Sequence, residues 1–350
     1  MGELFVTRIR NLLMPCLLAA WIAPAAADYS AHPRAQALLE VLAREDRFSP
    51  EELASVRTAL AQAERLPKLV EAEQKAAERT ETWTTYAAKR VDAPRIANGA
   101  DFLDENRLWF SRAETEYGVP PAVIAGILGL ETNFGRFTGS ARVLDALATQ
   151  GFEHPTRSPF FFSELREFFV FCRDTKRDPV EALGSYAGAM GWAQFMPSNY
   201  RRLAVDFDSD GKRDLWTAAD AIGSIARYLV EYDRSRGWRR GEPLAVPAVL
   251  DKPLPPDVAI NTSRTTHTAA QLAALGLRPT VELPPGTQVG VVELQLDEGR
   301  EYWLGLNNFY SVMSYNPRVY YAMTVSLLAQ EMARLDADRN NISSTIPPGE

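Results

Sequence analysis

Residues 119–139 read V-P-P-A-V-I-A-G-I-L-G-L-E-T-N-F-G-R-F-T-G. Pro120 and Pro121 suit the first turn of a helix, where a missing N–H costs nothing, and Gly135 stands where a left-handed stop is expected. The spacing predicts one short helix. Its apolar stripe runs through Ile124, Ile127 and Leu128, and the next position on that stripe is Glu131. A carboxyl on the core-facing side loses water and sits at the negative end of the helix dipole, and both effects raise its pKa toward neutrality. A protonated Glu beside an apolar wall can give its proton to a departing oxygen, which glycosidic cleavage requires. The competing reading is a buried Glu paired with Arg136 or Arg142, and the helix alone does not separate the two.

Before this stretch the pattern is helical from Ala35 to about Ala63, with Ser49-Pro50-Glu51-Glu52 forming a capping box that predicts a helix start at Pro50. The charged run from Glu64 to Arg90 ends in Trp83, Thr84, Thr85 and Tyr86, read as exposed aromatics of the kind that stack on sugar rings. A long helix is expected from Gly99 to Glu116, carrying Phe102, Leu103, Leu108, Trp109 and Ala113. After it come helices at Arg142–Thr149 and Phe160–Arg173, the latter with a phenylalanine stripe that reads as core. Between Trp238 and Leu304 the chain is rich in proline. A helix at Ala269–Leu275 and alternation over Val289–Leu296, followed by Asp297-Glu298-Gly299-Arg300, predict a small β-hairpin unit there. A last helix spans Arg318–Leu335, with a disordered tail after Asp336.

The 350 residues are 46% hydrophobic and 24% charged, enough for two or three domains with a sizeable core. The net charge of −7 and the lack of a dense Lys/Arg run argue against nucleic acid as a partner. Arg8 and Arg10, the apolar run Leu12–Ile22 and Ala25-Ala26-Ala27 form an export signal over residues 1–27. The expected location is therefore periplasmic. Leu13-Met14-Pro15 before Cys16 lacks the small residues of a lipidation site, so lipid anchoring is not expected, and removal of the signal leaves Cys172 without a disulfide partner.

Three further stretches carry chemistry. Asp206, Asp208, Asp210 and Asp214 fall at positions 1, 3, 5 and 9 of a loop with Gly211 at 6 and the Lys212 carbonyl at 7, the spacing of an EF-hand calcium loop. Position 12 holds Thr217 where the motif has a bidentate Glu, so the closing carboxylate has to come from Asp220. The competing reading is a solvated acidic turn. Three scattered histidines form no zinc site. The stretch 184–200, G-S-Y-A-G-A-M-G-W-A-Q-F-M-P-S-N-Y, mixes small residues with Ser185, Gln194 and Tyr200 and suits either a sugar site or close packing of two helices at Gly188 and Gly191. Leu306-Asn307-Asn308-Phe309-Tyr310, with Tyr315 and Asn316 just beyond, is a polar-aromatic knot entering the last helix.

Taken together, G-L-E-T-N-F-G-R-F-T-G, L-D-A-L-A-T, G-S-Y-A-G-A-M-G-W-A-Q-F-M-P-S, D-F-D-S-D-G-K-R-D-L-W and N-N-F-Y closely resemble the B-type lytic murein transglycosylases over residues 86–332. The resemblance implies a mainly α (α+β) fold with a lysozyme-like catalytic core, a flanking helical domain and a small inserted β-containing subdomain. The corresponding segments are 28–116 for the N-terminal helical region, 117–240 for the core, 241–305 for the β unit, 306–337 for a C-terminal helical segment packing on the N-terminal region, and 338–350 for a flexible tail. It further implies Glu131 as the catalytic acid, and Ser185, Gln194, Asn308, Tyr86, Tyr228, Arg157 and Tyr310 as substrate-binding residues. The calcium ligands would be Asp206, Asp208, Asp210, Lys212 and Asp220, with the ion structural and no organic cofactor. Thr132-Asn133-Phe134 stands where the family commonly has Thr-Arg-Trp, and the lipobox of membrane-bound members is not evident.

The activity so implied is cleavage of the β-1,4 bond between N-acetylmuramic acid and N-acetylglucosamine by a single acid/base, leaving 1,6-anhydromuramoyl ends. Asp145 and Glu164 are the carboxylates that could still approach in space. The alternatives are a muramidase acting on the same bond with water, and a noncatalytic peptidoglycan-binding protein. The expected partners are glycan strands, with proteins of wall synthesis or hydrolysis beside them, and the expected state is a monomer.

Overall fold

The computed structural model describes residues 28–66, 69 and 81–345, with side chains as far as Arg339. The export signal and part of the charged run after Glu64 lie outside the described residues. Helices α1 (Pro33–Arg44) and α2 (Pro50–Ala61) open the chain, and α2 starts at the predicted proline. Its capping box is complete: Glu52 N donates to Ser49 Oγ at 3.2 Å and Ser49 N to Glu52 Oε2 at 2.7 Å. After the short α3 (Trp83–Ala88), the long helix expected over 99–116 is two, α4 (Ala93–Glu105) and α5 (Arg107–Tyr117). Asn106 breaks it, its backbone leaving helical geometry while its side-chain amide donates to the Phe102 carbonyl at 3.0 Å. No single helix face could have buried all the apolar residues listed, and Leu108 is 69% exposed.

The helix carrying Glu131 is α6 (Pro121–Thr132). It ends earlier than Gly135, on Asn133 in the left-handed conformation, and Phe134 follows with a positive φ as well. Residues Val123 to Gly129 are all buried, so α6 is apolar all round rather than on one stripe. It is the central rod, packed by α4, α5, α10 (Ala218–Glu231) and the last helix α13 (Val319–Thr345). Gly126 is the contact point with α13: a Cβ there would stand 3.2 Å from the Val325 carbonyl oxygen. Helices α7 (Val143–Glu153), α8 (Ser158–Thr175) and α9 (Pro197–Leu203) complete the helical body. On α8 Phe161, Phe168, Phe169 and Phe171 are buried as the core reading expects, and Phe160 stays 43% exposed.

The stretch 184–200 is not a pair of packed helices. Strands β1 (Ala141–Arg142) and β2 (Leu183–Gly184) form a short antiparallel ladder, and tight turns follow. Gly188 has φ +85° and lies so close to Leu147 that a Cβ would meet its Cδ2 at 2.4 Å, which excludes any other residue on two counts.

The β unit is larger than a hairpin. Strands β3 (Ala245–Leu250), β4 (His267–Thr268), β5 (Leu277–Pro279), β6 (Gln288–Gln295) and β7 (Arg300–Gly305) form an antiparallel sheet in the order β4-β6-β7-β3-β5, with α11 (Ala269–Ala274) beside it. The predicted β6–β7 hairpin is its centre, closing with Gln295 opposite Arg300. Val246, Leu272, Leu277, Val289, Val291 and Leu304 make a separate small core. The main core, by contrast, runs without a break from Tyr29 to Met332. The chain returns through α12 (Asn307–Tyr315) into α13, which packs on α6 and α4 and continues to Thr345, past the end expected at Leu335 and into the stretch expected to be disordered.

Candidate active site

Glu131 emerges at the last turn of α6, partly accessible yet enclosed by apolar and aromatic groups. Burial lifts its pKa to about 7, opposed by the Tyr321 hydroxyl, which donates to Oε1 at 2.6 Å and favours the ionised form. Burial prevails. No charged group contributes to the shift, and among the described residues Glu131 has no ion-pair partner. Neither arginine of the competing reading reaches it: Arg142 grips Asp145 with Nε at 2.7 Å, and Arg136 is exposed. Tyr321 and Tyr315 are both held neutral by burial, with Glu131 raising their pKa values further. The Tyr315 hydroxyl donates to the Ala193 carbonyl.

These two tyrosines are the residues that sequence reading missed as partners of the acid. Tyr315 was seen only as part of a knot, and Tyr321 lies on α13, 190 positions from Glu131. The available signal was an aromatic pair, Tyr320-Tyr321, at the start of the last helix.

A cleft of about 950 Å³ opens beside Tyr315. Arg157, Tyr228 and the ring of Tyr310 line it, together with Glu164, Tyr232, Arg236, Arg239 and Arg264. Tyr228 is buried, stacked on Tyr232 with ring centroids 4.4 Å apart, and donates to the Ser314 carbonyl at 2.7 Å. Arg157 lies over the Phe160 and Phe161 rings. Ser185 accepts from Ala187 N and Ala189 N through Oγ, and Gln194 donates to the Thr138 and Gly191 carbonyls, so both shape the turns behind the acid.

Three assignments need correction. Asn308 is fully buried and faces no cleft: its side chain clamps both the N–H and the carbonyl of Arg239 and also donates to the Glu242 carbonyl at 2.6 Å. A polar residue at a helix start reads the same in sequence whether it meets ligand or backbone. Tyr86 and Trp83 are not exposed platforms either. Both are buried, packed with Tyr320 at centroid distances of 5.3 Å, and Arg90 covers the Tyr86 ring at 3.7 Å. Their aromaticity stands out in sequence only because the buried partner is remote. Tyr310 turns its hydroxyl toward Gly290 and Gly305 of the sheet, where Cβ atoms would meet it at 2.0 and 3.2 Å, and presents only its ring to the cleft.

Asp145 is occupied by Arg142 and by Glu64 N, and Glu164 by Ser198 N and Oγ at 2.9 and 2.6 Å. Burial raises the Glu164 pKa.

In the acidic loop the carboxylates of Asp206, Asp208 and Asp220 offer oxygens within 4.8 Å of one another. Asp220, the residue the spacing required, is buried, and its oxygens accept from Phe207 N and Asp214 N, both at 2.6 Å. Burial raises its pKa, the two backbone donors lower it, and Asp208 and Asp206 raise it again. Asp210 and Asp214 are outside the cluster. Asp210 caps Lys212 N, and Asp214 accepts from Trp216 N and pairs with Arg177 at 3.3 Å. Three carboxylates crowded on hard-oxygen geometry fit a calcium ion, whose charge would relieve their repulsion.

The fold and the sequence have known relatives. The sequence profile of the family described as "Transglycosylase SLT domain" matches residues 30–330. The chain is 38% identical to membrane-bound lytic murein transglycosylase B of Escherichia coli K12 over 315 residues, 87% of this chain and 84% of that protein. Among solved structures, catenated lytic transglycosylase SltB1 of Pseudomonas aeruginosa superposes with a TM-score of 0.81 at 39% identity, covering 88% of this chain and all of that one. The E. coli lytic transglycosylase Slt35 in complex with calcium superposes with a TM-score of 0.79 at 37% identity, covering 89% and 96%.

Proposed function

The chain belongs to the transglycosylase SLT family and is a lytic murein transglycosylase, a peptidoglycan-cleaving lyase; on that premise we propose that Glu131 is its single acid and base. The observation that carries this reading is a carboxyl lifted toward neutrality by burial, with a tyrosine hydroxyl on one oxygen and no ion pair among the described residues. Protonated, Glu131 gives its proton to the glycosidic oxygen as the bond from muramic acid C1 breaks. The carboxylate so formed is held by the Tyr321 hydroxyl. It then takes the proton of the C6 hydroxyl, whose oxygen closes on C1, and the acid is regenerated with no net change in the enzyme. A two-carboxylate glycosidase needs a second group roughly 5–9 Å away, and both candidates here are occupied by their own partners. The product is a 1,6-anhydromuramoyl end.

The acidic loop would hold calcium through Asp206, Asp208 and Asp220, and the ion would tie the loop to the first turn of α10 without entering the reaction. Asp210 and the Lys212 carbonyl would have to turn toward it. The place of action would be the periplasm, reached through the export signal. No helix among the described residues is long and apolar enough to cross a membrane.

The test is mass spectrometry of fragments released from purified peptidoglycan by the mature protein and by Glu131→Gln. Anhydromuramoyl ends from the wild type only are expected. Reducing ends would make water the acceptor, and unchanged products from the variant would remove Glu131 from its role.

A further inference from the structure

Helix α6 stops one residue after Glu131, where a helix end ordinarily leaves its last carbonyls to water. It does not stop on a glycine. Asn133 and Phe134 both take left-handed backbone, with φ +48° and +59°, before Gly135 at +81°. Two consecutive non-glycine residues in that region cost free energy and persist only where their surroundings hold them. The acid therefore stands at the edge of a strained turn, and whatever holds the turn also holds the acid.

Three kinds of contact hold it. The Phe134 ring lies under the last turn of α6, so close that a Cβ at Gly129 or Gly99 would meet its Cζ at 2.8 or 3.0 Å. Backbone donors close the helix end, Phe134 N to the Leu128 carbonyl at 3.1 Å and Phe137 N to the Thr132 carbonyl at 2.9 Å. The third is a hydroxyl, that of Thr132, a residue only 1% exposed. Its Oγ1 accepts from Gly135 N at 3.0 Å and donates to the Trp192 carbonyl at 3.1 Å. One oxygen thus closes the turn on itself and joins it to a distant part of the chain. The next carbonyl there, that of Ala193, accepts from the Tyr315 hydroxyl. Gln194 adds a second stitch, donating to the Thr138 carbonyl at 3.0 Å.

Elsewhere in a core such a hydroxyl would contribute to stability alone. Here it belongs to the residue that follows the acid, so a shift of the Thr132 backbone redirects the Glu131 side chain through their shared peptide. The Glu131 carboxyl is also lifted by burial, which any water admitted at the helix end would undo. We propose that Thr132 is a positioning residue for the reaction: its hydroxyl, bridging Gly135 N and the Trp192 carbonyl, pins the left-handed turn that aims the Glu131 carboxyl and keeps that side of the pocket dry. Buried as it is, Thr132 acts through Glu131 and not on the glycan. The proposal rests on the acid role of Glu131 given above.

The test pairs two variants. Thr132→Val keeps the shape and loses both bonds, so kcat falls about ten- to a hundredfold, the cost of a slightly misplaced group, with KM nearly unchanged. Water reaching the carboxyl also moves the fall of kcat/KM on the basic side to lower pH, by roughly one pH unit. Thr132→Ser keeps the hydroxyl and restores both the rate and the position of that limb. Should Thr132→Val not fold, Thr132→Cys fills the space with a weak hydrogen-bonding group and moves both readouts the same way by less. A purely structural hydroxyl would lower Tm and leave the limb in place. A Val or Cys variant with an unmoved limb, or a Ser variant that fails to restore it, therefore overturns the proposal. An NMR titration of the Glu131 carboxyl in the same variants needs no turnover. If Glu131→Gln still cleaves, it is the acid assignment that falls, and the carboxyl titration still decides whether Thr132 keeps the pocket dry.

Discussion

The Glu131 pocket and the acidic loop use the same functional group in opposite ways. At the end of α6 a solitary carboxyl is stripped of water among apolar and tyrosine side chains, with no charge near enough to matter, and it responds by keeping its proton to about pH 7. In the loop three carboxylates crowd within 4.8 Å of one another, one of them buried, and their mutual repulsion asks for a cation. Burial without company makes an acid. Burial with like-charged company and backbone donors offers oxygens to the cation proposed there.

The largest expected effect breaks the comparison at the acid. Glu131→Gln should lower turnover at least about a thousandfold, the upper range of general acid catalysis, measured as release of anhydromuramoyl products. The loop should answer in stability instead. Asp220→Ala strands two backbone N–H groups and removes a ligand, so a loss of about 3 kcal/mol is expected, together with the disappearance of any calcium-dependent rise in Tm. A melting curve with and without a chelator checks both; a wild-type Tm indifferent to calcium would make the loop a plain acidic turn.

The raised pKa of Glu131 also has a stability consequence. Between pH 4.5 and about 7 the folded protein holds a proton on Glu131 that the unfolded chain has lost. Wild-type stability therefore falls with rising pH across that window. Glu131→Gln removes the dependence and should be more stable than the wild type by about 2–3 kcal/mol at pH 8, with no advantage at pH 4. Denaturant titrations at the two pH values read it directly. The smallest effect is expected at Tyr321→Phe. Losing the donor to the carboxylate raises the Glu131 pKa further, so the fall of kcat/KM above pH 7 should move to higher pH while the rate drops about tenfold. A limb that stays in place would mean the hydroxyl does not stabilise the charged form.

What was legible in the sequence is what neighbours along the chain decide. The Ser49–Glu52 box closes within one turn, the start of α6 follows from its prolines, and the β6–β7 hairpin follows from alternation and a Gly-containing turn. The break at Asn106 was missed because a list of apolar residues does not say that Leu108 will face solvent. The β unit was underestimated because β4 and β5 are only two and three residues long and β3 pairs with β7, far away in sequence. Asn308 and Tyr86 were read as substrate contacts because polarity and aromaticity look alike whether the partner is a sugar or another part of the chain.

The sequence by itself determined that one Glu stands at the end of an apolar helix, and that an Asp-rich loop, if it holds a cation, takes its closing carboxylate from Asp220. It also showed two adjacent asparagines in a polar-aromatic knot ahead of the last helix, and the structure made that knot a helix of its own. Tertiary structure alone decided that no arginine among the described residues pairs with Glu131, that Tyr321 on α13 bonds it, and that Asn308 holds the backbone of Arg239. Helix starts and loop spacing depend on local geometry. A pKa depends on how much water every surrounding element excludes, and for Glu131 that is settled only when α13 packs on α6.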